Sequence, residues 1–585
     1  MRILVLHPED VPWRGQWSGA HWDLIVDLGF AGADIYQDWG RRAGARVISL
    51  HQFAGQGESY RSVGQVLEAG RGKLLDRMGL DWWEMLASWS YHELQALYLL
   101  EQLRQELGPG PCDLVATRAH WQIPLLSTVM GSPVRCIEKK PSSWRDLFSR
   151  ISAAALNLRP SQIVEIGFDK WDPSYKLRRR LTKHRRVEHD EPMVLLPSAY
   201  SNVTRIQLAY AAQLPNRRFL LATTRRGGES KFLPPNVISV PLAAYAQDSG
   251  ETQLETAELI KTWNALSAEL SKVEHIRLGF QANIWDYFPR RLKSGLAVRD
   301  AWHCLMSTAP VSGVLCGDDL NYYTRLPLIL AKRMGRKALY CYHGALDGGL
   351  LFKKSYADVH LVKGEMERSY ALQASDVEQE RIEIAAPVET SHESYRTAAN
   401  DGSIGDIVLF SQPYEVYGGR TEEIYREILL PLGTVAQRLN RKIVVKLHPF
   451  ESRRGRQRLL RSVLPSDLCA RVEVSSAPAS ELVPRMTCGI GLDSSVAVEC
   501  AQREIPYFLC SWLDFNGFGY TRHLARFGAG TLLEAADEIL SIPQRLREFK
   551  PDRPMIQLLG QPTADARLDE ILFGTGSVLL VNKCA

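Results

Sequence analysis

Short apolar runs alternate with stretches of helical period through most of the chain, and that alternation sets the fold expectation. Runs of four to six residues rich in Val, Ile and Leu occupy positions 1–6, 46–50, 113–117 and 134–138, then 193–197, 218–223 and 237–240. They are too continuously apolar for half-exposed strands and read as strands buried on both faces, as in parallel sheets. Between them, residues 82–107 and 251–273 carry the helical period. Residues 311–349 form a strand–helix–strand unit: a strand at 311–316, a helix near 326–334 stopped by Gly335, and a strand at 337–342 that ends in His343-Gly344. Another strand follows at 357–362. Beyond a polar, turn-rich segment at 383–405, a new series starts at 406–410, 442–447, 471–474, 487–492 and 506–510. The pattern predicts an α/β protein of two Rossmann-like domains facing a central cleft. One domain spans 1–390, with helical insertions and a basic linker near 171–190, and the other spans 391–585. The opening segment 7–29 reads as a loop running into a helix, without the glycine fingerprint of a dinucleotide site.

Composition narrows the class. At 585 residues the chain exceeds a single core, and a net charge of +5 is small for that length. It suits an anionic small substrate or an anionic surface and gives no reason to invoke nucleic acid. Ten cysteines fall in apolar segments without Cys-x-x-Cys spacing, so neither zinc nor a disulfide framework is expected, and a reducing, cytoplasmic setting is. The N-terminus lacks the long apolar region of a signal peptide, and no run reaches the ~18 apolar residues of a membrane span. One segment departs from the average: residues 176–186 hold seven Lys or Arg in eleven positions. It reads as a solvated linker or as a contact with an anionic membrane surface.

Candidate chemistry concentrates in residues 442–501. Lys446 and His448 close an apolar strand and, being two residues apart, point the same way. Some forty residues later a strand at 487–492 runs into Asp493, an N-cap candidate, and a helix opening at Ser494-Ser495. A helix start with small hydroxyl residues offers free backbone N–H groups to a phosphate. The two pieces look like halves of a nucleotide phosphate cradle.

The ordered set Tyr342-His343-Gly344, Lys446-Leu447-His448-Pro449 and Asp493-Ser494-Ser495-Val496 resembles the bacterial surface-polysaccharide transferases of GT-B architecture. Within that group it is most similar to capsule polysaccharide proteins, Kdo and polysialic acid transferases, and CDP-glycerol glycerophosphotransferases. The resemblance covers about 311–510 and implies a glycosyltransferase of cell-envelope synthesis, inverting and metal-independent. A CMP- or other nucleotide-sugar would be the donor, as a substrate rather than a cofactor, and a surface-polysaccharide or lipid-linked glycan the acceptor. It implies a donor site of Lys446, His448, Pro449, Asp493, Ser494, Ser495 and Gly344, with Glu499 on the ribose hydroxyls. His343 is the expected base, with Glu9, Asp10 and Asp23 of the first loop as alternatives in a domain that brings the acceptor. Asp318-Asp319 lacks the separated Asp-x-Asp of metal-dependent transferases, so no metal is expected. The enzyme would be cytoplasmic, peripheral at the inner membrane face. Two other readings stay open: a nucleotide-sugar 2-epimerase of the same fold, and a non-catalytic polysaccharide-assembly partner.

Overall fold

The computed structural model describes residues 1–10, 20–137, 167–168, 171–172, 175–182, 190–247, 249–344, 346, 353–387, 405–514, 519–560 and 562–574. Strands β1 (Arg2–Leu6), β2 (Leu24–Asp27), β3 (Arg46–Ser49), β4 (Asp113–Ala116) and β5 (Val134–Cys136) form a sheet in the order β3-β2-β1-β4-β5. A second sheet is built from β6 (Met193–Ser198), β7 (Arg218–Thr223), β8 (Val237–Pro241), β9 (Val311–Cys316), β10 (Lys337–Cys341), β11 (Val359–Val362) and β12 (Ile382–Ile384). Its order is β12-β11-β10-β9-β6-β7-β8. The third contains β13 (Asp406–Phe410), β14 (Ile443–Lys446), β15 (Val472–Ser475), β16 (Met486–Gly491), β17 (Tyr507–Cys510) and β18 (Thr531–Leu533), ordered β15-β14-β13-β16-β17-β18.

Neighbouring strands in all three sheets pair in parallel. The sequence explains this, because strands such as β6 are buried at every residue and could not face water on one side. Each sheet reverses its winding once, between β1 and β4, between β6 and β9, and between β13 and β16. Ligand crevices of open α/β sheets form outside the carboxyl ends of strands at such points.

The α/β class and the Rossmann-like units facing a cleft agree with the expectation from sequence. Three details differ. Residues 1–390, read as one unit, carry two separate sheets. Residues 24–27, read as part of a helix, are the inner strand β2, and the first helix comes later at Ala33–Ala43. The run Leu24–Asp27 is buried throughout, so it is too apolar for a surface helix face. The stretch 82–107 is broken into Trp82–Ala87 and Tyr91–Leu107 by a tight turn at Ser88–Ser90. The expected domain boundary near 390 lies outside the described residues, as do residues 11–19 of the first loop. Of the basic linker, residues 183–189 also lie outside them; Lys176–Leu181 is a short helix with Arg178 turned inward and Arg179 and Arg180 exposed.

The first sheet is fastened to both others. Arg420, fully buried, comes from the third unit and donates to the carbonyl oxygens of His7 and Asp10 and to Asp27 Oδ1 at 2.8 Å. Towards the second unit, buried Arg299 meets Asp76 at 2.8 Å, Glu255 at 2.7 Å and Asp300 at 2.6 Å, and buried Arg325 meets Glu84 at 2.5 Å. Around these pairs Trp83, Trp263, Trp285 and Phe288 pack together, with Trp263 and Phe288 stacked at 4.0 Å. Charges taken this far out of water need an opposite charge close by, and each of these arginines has one.

Candidate active site

A cavity of about 1070 Å³ opens where the three sheets meet, lined by loops that leave the carboxyl ends of their strands. His7 follows β1, His120 follows β4, His343 follows β10, Ser411 follows β13, His448 follows β14 and Asp493 follows β16. Parallel pairing puts all these ends on one edge of each sheet, which is why residues hundreds of positions apart share one space.

His448 sits in a tight turn with a fixed ring. Its backbone N–H donates to Glu451 Oε2 at 2.6 Å, the Glu451 N–H returns to the His448 carbonyl at 2.9 Å, and the Phe450 N–H donates to His448 Nδ1 at 3.2 Å. Because Nδ1 accepts, the neutral ring carries its proton on Nε2 and is a donor. Burial pushes the Glu451 carboxyl up, against the pull of Arg456, whose Nε donates to Oε1 at 2.6 Å; Ser411 Oγ donates to the same oxygen at 2.8 Å. The opposite holds for His343. Its Nδ1 lies 2.5 Å from the Gly317 carbonyl oxygen, which can only accept, so the proton is on Nδ1 and Nε2 carries a lone pair. One cavity therefore holds a histidine set as a donor and another set as a base.

The sequence-predicted donor residues largely converge. Lys446, His448, Pro449, Asp493, Ser494, Ser495, His343 and Gly344 all line the cavity. Lys446 Nζ donates to the Leu447 carbonyl at 2.5 Å. Asp493 is not the helix N-cap: Gln412 Nε2 donates to its Oδ1 at 2.5 Å, and the helix Val496–Gln502 starts after Ser495. The N–H groups of Val496, Ala497 and Val498 are engaged by Ser494 Oγ, Ser494 O and Ser495 O, so the free amides expected at this helix start are already bonded within the turn.

Three expected residues do not reach the cavity. Asp10 is buried beneath the His7 turn, accepting from the His7 N–H at 2.7 Å and from Arg118 Nε at 2.9 Å, so it supports a turn and cannot serve as the base. Asp23 immediately precedes β2 and accepts from the Arg2 N–H at 2.6 Å. It stands at the amino edge of the sheet, across from the cavity. Glu499 pairs with Arg503 at 3.3 Å, one helical turn on, and is not among the cavity residues. Glu9 does line the cavity, held by Arg118 at 3.1 Å. Asp318 and Asp319 lie outside the cavity lining; Asp318 accepts from the Leu320 N–H at 3.0 Å and Asp319 pairs with Lys353.

Sequence reasoning missed Arg205, on the helix Ser201–Gln213 after β6. It is an exposed cation on the cavity wall with no ion pair among the described residues. It also missed His7 and His120, whose rings meet edge-on at 4.1 Å. The signal for His7 was present, since His-Pro-x-acid occurs at both 7–10 and 448–451. A single arginine on a helix gives no comparable signal.

No family model and no curated protein matches the chain. Among solved structures, it is similar to the UDP-GlcNAc 2-epimerase from Methanocaldococcus jannaschii, at 12% identity and a TM-score of 0.40 over 66% of this chain and 99% of that one. It is similar to an MnaA–UDP co-structure from S. aureus, at 11% identity and a TM-score of 0.38 over 65% of this chain and 96% of that one. It is also similar to the wall teichoic acid polymerase TagF, at 13% identity and a TM-score of 0.37 over 74% of this chain and 98% of that one.

Proposed function

We propose that the protein is an inverting, metal-independent glycosyltransferase that moves a sugar from a nucleotide-activated donor to a surface-glycan or lipid-linked glycan acceptor. The observation that carries this reading is the pair of opposed histidine tautomers in one cavity. His343 Nε2 takes the proton of the acceptor hydroxyl as its oxygen attacks the anomeric carbon. The bond from that carbon to the phosphate oxygen breaks, and negative charge grows on the leaving nucleotide. His448 Nε2–H, Lys446 and Arg205 are the donors and cations available to meet it, preorganised on strand and helix ends. Ser494 and Ser495 add hydroxyls on the same wall. Preference for a cytidine nucleotide rests on the motif resemblance.

No helix among the described residues is long and apolar enough to cross a membrane. The reading places the enzyme at the inner membrane face, with exposed Lys176, Arg179 and Arg180 available to anionic head groups.

The test is donor turnover by wild type and His343→Gln. Wild type should consume a nucleotide-sugar only with an acceptor present, and the variant should lose about 10²–10⁴ in kcat while still binding nucleotide. Unchanged turnover by the variant rejects His343 as the base. Isomerisation of the donor without acceptor would instead identify a 2-epimerase, and nucleotide binding without turnover of any donor would favour a non-catalytic role.

A further inference from the structure

The His448 turn has a counterpart elsewhere on the cavity lining, at the end of β1. In both, a histidine at a strand end is followed by Pro, and an acid three residues on accepts from the histidine's own N–H, at 2.7 Å for Asp10 and 2.6 Å for Glu451. In both, the acid's N–H returns to the histidine carbonyl at 2.9 Å. The intervening residue's N–H donates to the ring Nδ1, at 3.1 Å from Glu9 to His7 and 3.2 Å from Phe450 to His448. An arginine Nε holds the acid in each, Arg118 at 2.9 Å and Arg456 at 2.6 Å. A hydroxyl from the end of the neighbouring strand completes both supports, Thr117 after β4 for Asp10 and Ser411 after β13 for Glu451.

Equal scaffolds fix equal ring states, so His7, like His448, presents Nε2–H to the cavity. His120 adds a second imidazole, its Nδ1 accepting from the Gln122 N–H at 3.4 Å, and neither ring's Nε2 has a partner among the described residues. Two carboxylates flank this wall, Asp10 beneath the His7 turn and Glu9 on the lining, and Arg118 pairs with both, at 2.8 Å and 3.1 Å. The cavity, at about 1070 Å³, lies at the upper end of the ~300–1,000 Å³ common for small-ligand sites.

We infer that His7 and His120 form a second phosphate subsite, which receives a phosphoryl group of the acceptor while the His448 turn holds that of the donor. This rests on the reading of the His448 turn as a phosphate site. Half-buried, neutral imidazoles suit the role: they donate a hydrogen bond without requiring a charged partner, and desolvation, the largest cause, lowers His7 to about 4 and His120 to about 3.

The test is calorimetric titration of the full-length chain with inorganic pyrophosphate, with and without saturating CDP or UDP. Two pyrophosphates per chain are expected, falling to one under nucleotide. The pair His7→Asn and His120→Asn, made separately, should each weaken only the nucleotide-independent event by about tenfold, and His448→Asn only the other. The two separate variants, with the wild-type stoichiometry, guard against a folding defect in either one. A hexose 1-phosphate and geranyl diphosphate, added in separate arms under nucleotide, show whether a sugar phosphate or a lipid phosphate displaces the remaining pyrophosphate. One pyrophosphate per chain, abolished by nucleotide, overturns the second subsite and leaves the donor reading intact. Pyrophosphate binding that depends on His7 in a chain that binds no nucleotide would instead overturn the donor reading and keep the subsite.

Discussion

At the scale of single residues, the chemistry depends on where protons sit on imidazole rings, and backbone groups decide that. Gly317 O fixes the Nδ1–H form of His343, while the Phe450 and Glu9 amides fix the Nε2–H form of His448 and His7. Nitrogen NMR of histidine-labelled protein should therefore show one tautomer for His343 and the other for His448 and His7. A pH series on the same sample should leave His7 and His120 neutral from pH 8 down to about 5, with protonation near 4 and 3. Burial is the largest cause at both rings and disfavours the charged imidazolium; Arg118 and Arg420 add repulsion at His7, and His7 and Arg118 add it at His120 against the pull of Asp10, so the proton arrives only at lower pH. Midpoints near 6.5 for both would mean solvated rings and remove their place on the cavity wall. Lys446, His448 and Ser494-Ser495 were legible in the sequence because they follow apolar runs that end at the cavity, although β14 stops at Lys446 and it is the turn closed by Glu451, not strand alternation, that sets the His448 ring. Arg205 was not, since its position depends on how the second sheet docks beside the third.

Among elements, the strand ends decide which residues share the site. Elements such as β9, β10 and β13 were readable to within a residue or so because continuous apolar runs need burial on both faces. β2 was not, because the four residues Leu24–Asp27 are too few to show a period, and misplacing that strand is what brought Asp23 to the wrong sheet edge. Asp23→Ala should accordingly leave donor turnover unchanged. The His448 turn makes a complementary prediction. Glu451→Ala removes the acceptor of the His448 N–H and strands Arg456 Nε, so nucleotide affinity should fall by about tenfold with His448 still present. Glu451→Gln, which keeps an acceptor oxygen, should recover most of it. Equal affinities across the three proteins, measured by titration calorimetry, would show that the turn does not aim His448.

For the whole molecule, the first sheet is held against the third by Arg420, and the same guanidinium supports the His7 turn through two carbonyls. Arg420→Ala would leave Asp27 buried without its cation, and a loss of about 3–5 kcal/mol in urea unfolding is expected. A loss below about 1 kcal/mol would show that the sheets stay together without the clamp. That the described residues form three sheets rather than two could not be read from the pattern, since nothing in 1–390 marks which strands pair with which. The cleft itself could be anticipated from the ordered motifs at 343, 446–449 and 493–496 alone. The central claim, a nucleotide held by the His448 turn, is tested most directly by calorimetric titration of wild type and His448→Asn with CMP, CDP and UDP. At least one nucleotide should bind wild type at one per chain, and the variant should bind it about tenfold more weakly or worse. No binding by any of the three, or equal affinity in the variant, would contradict it.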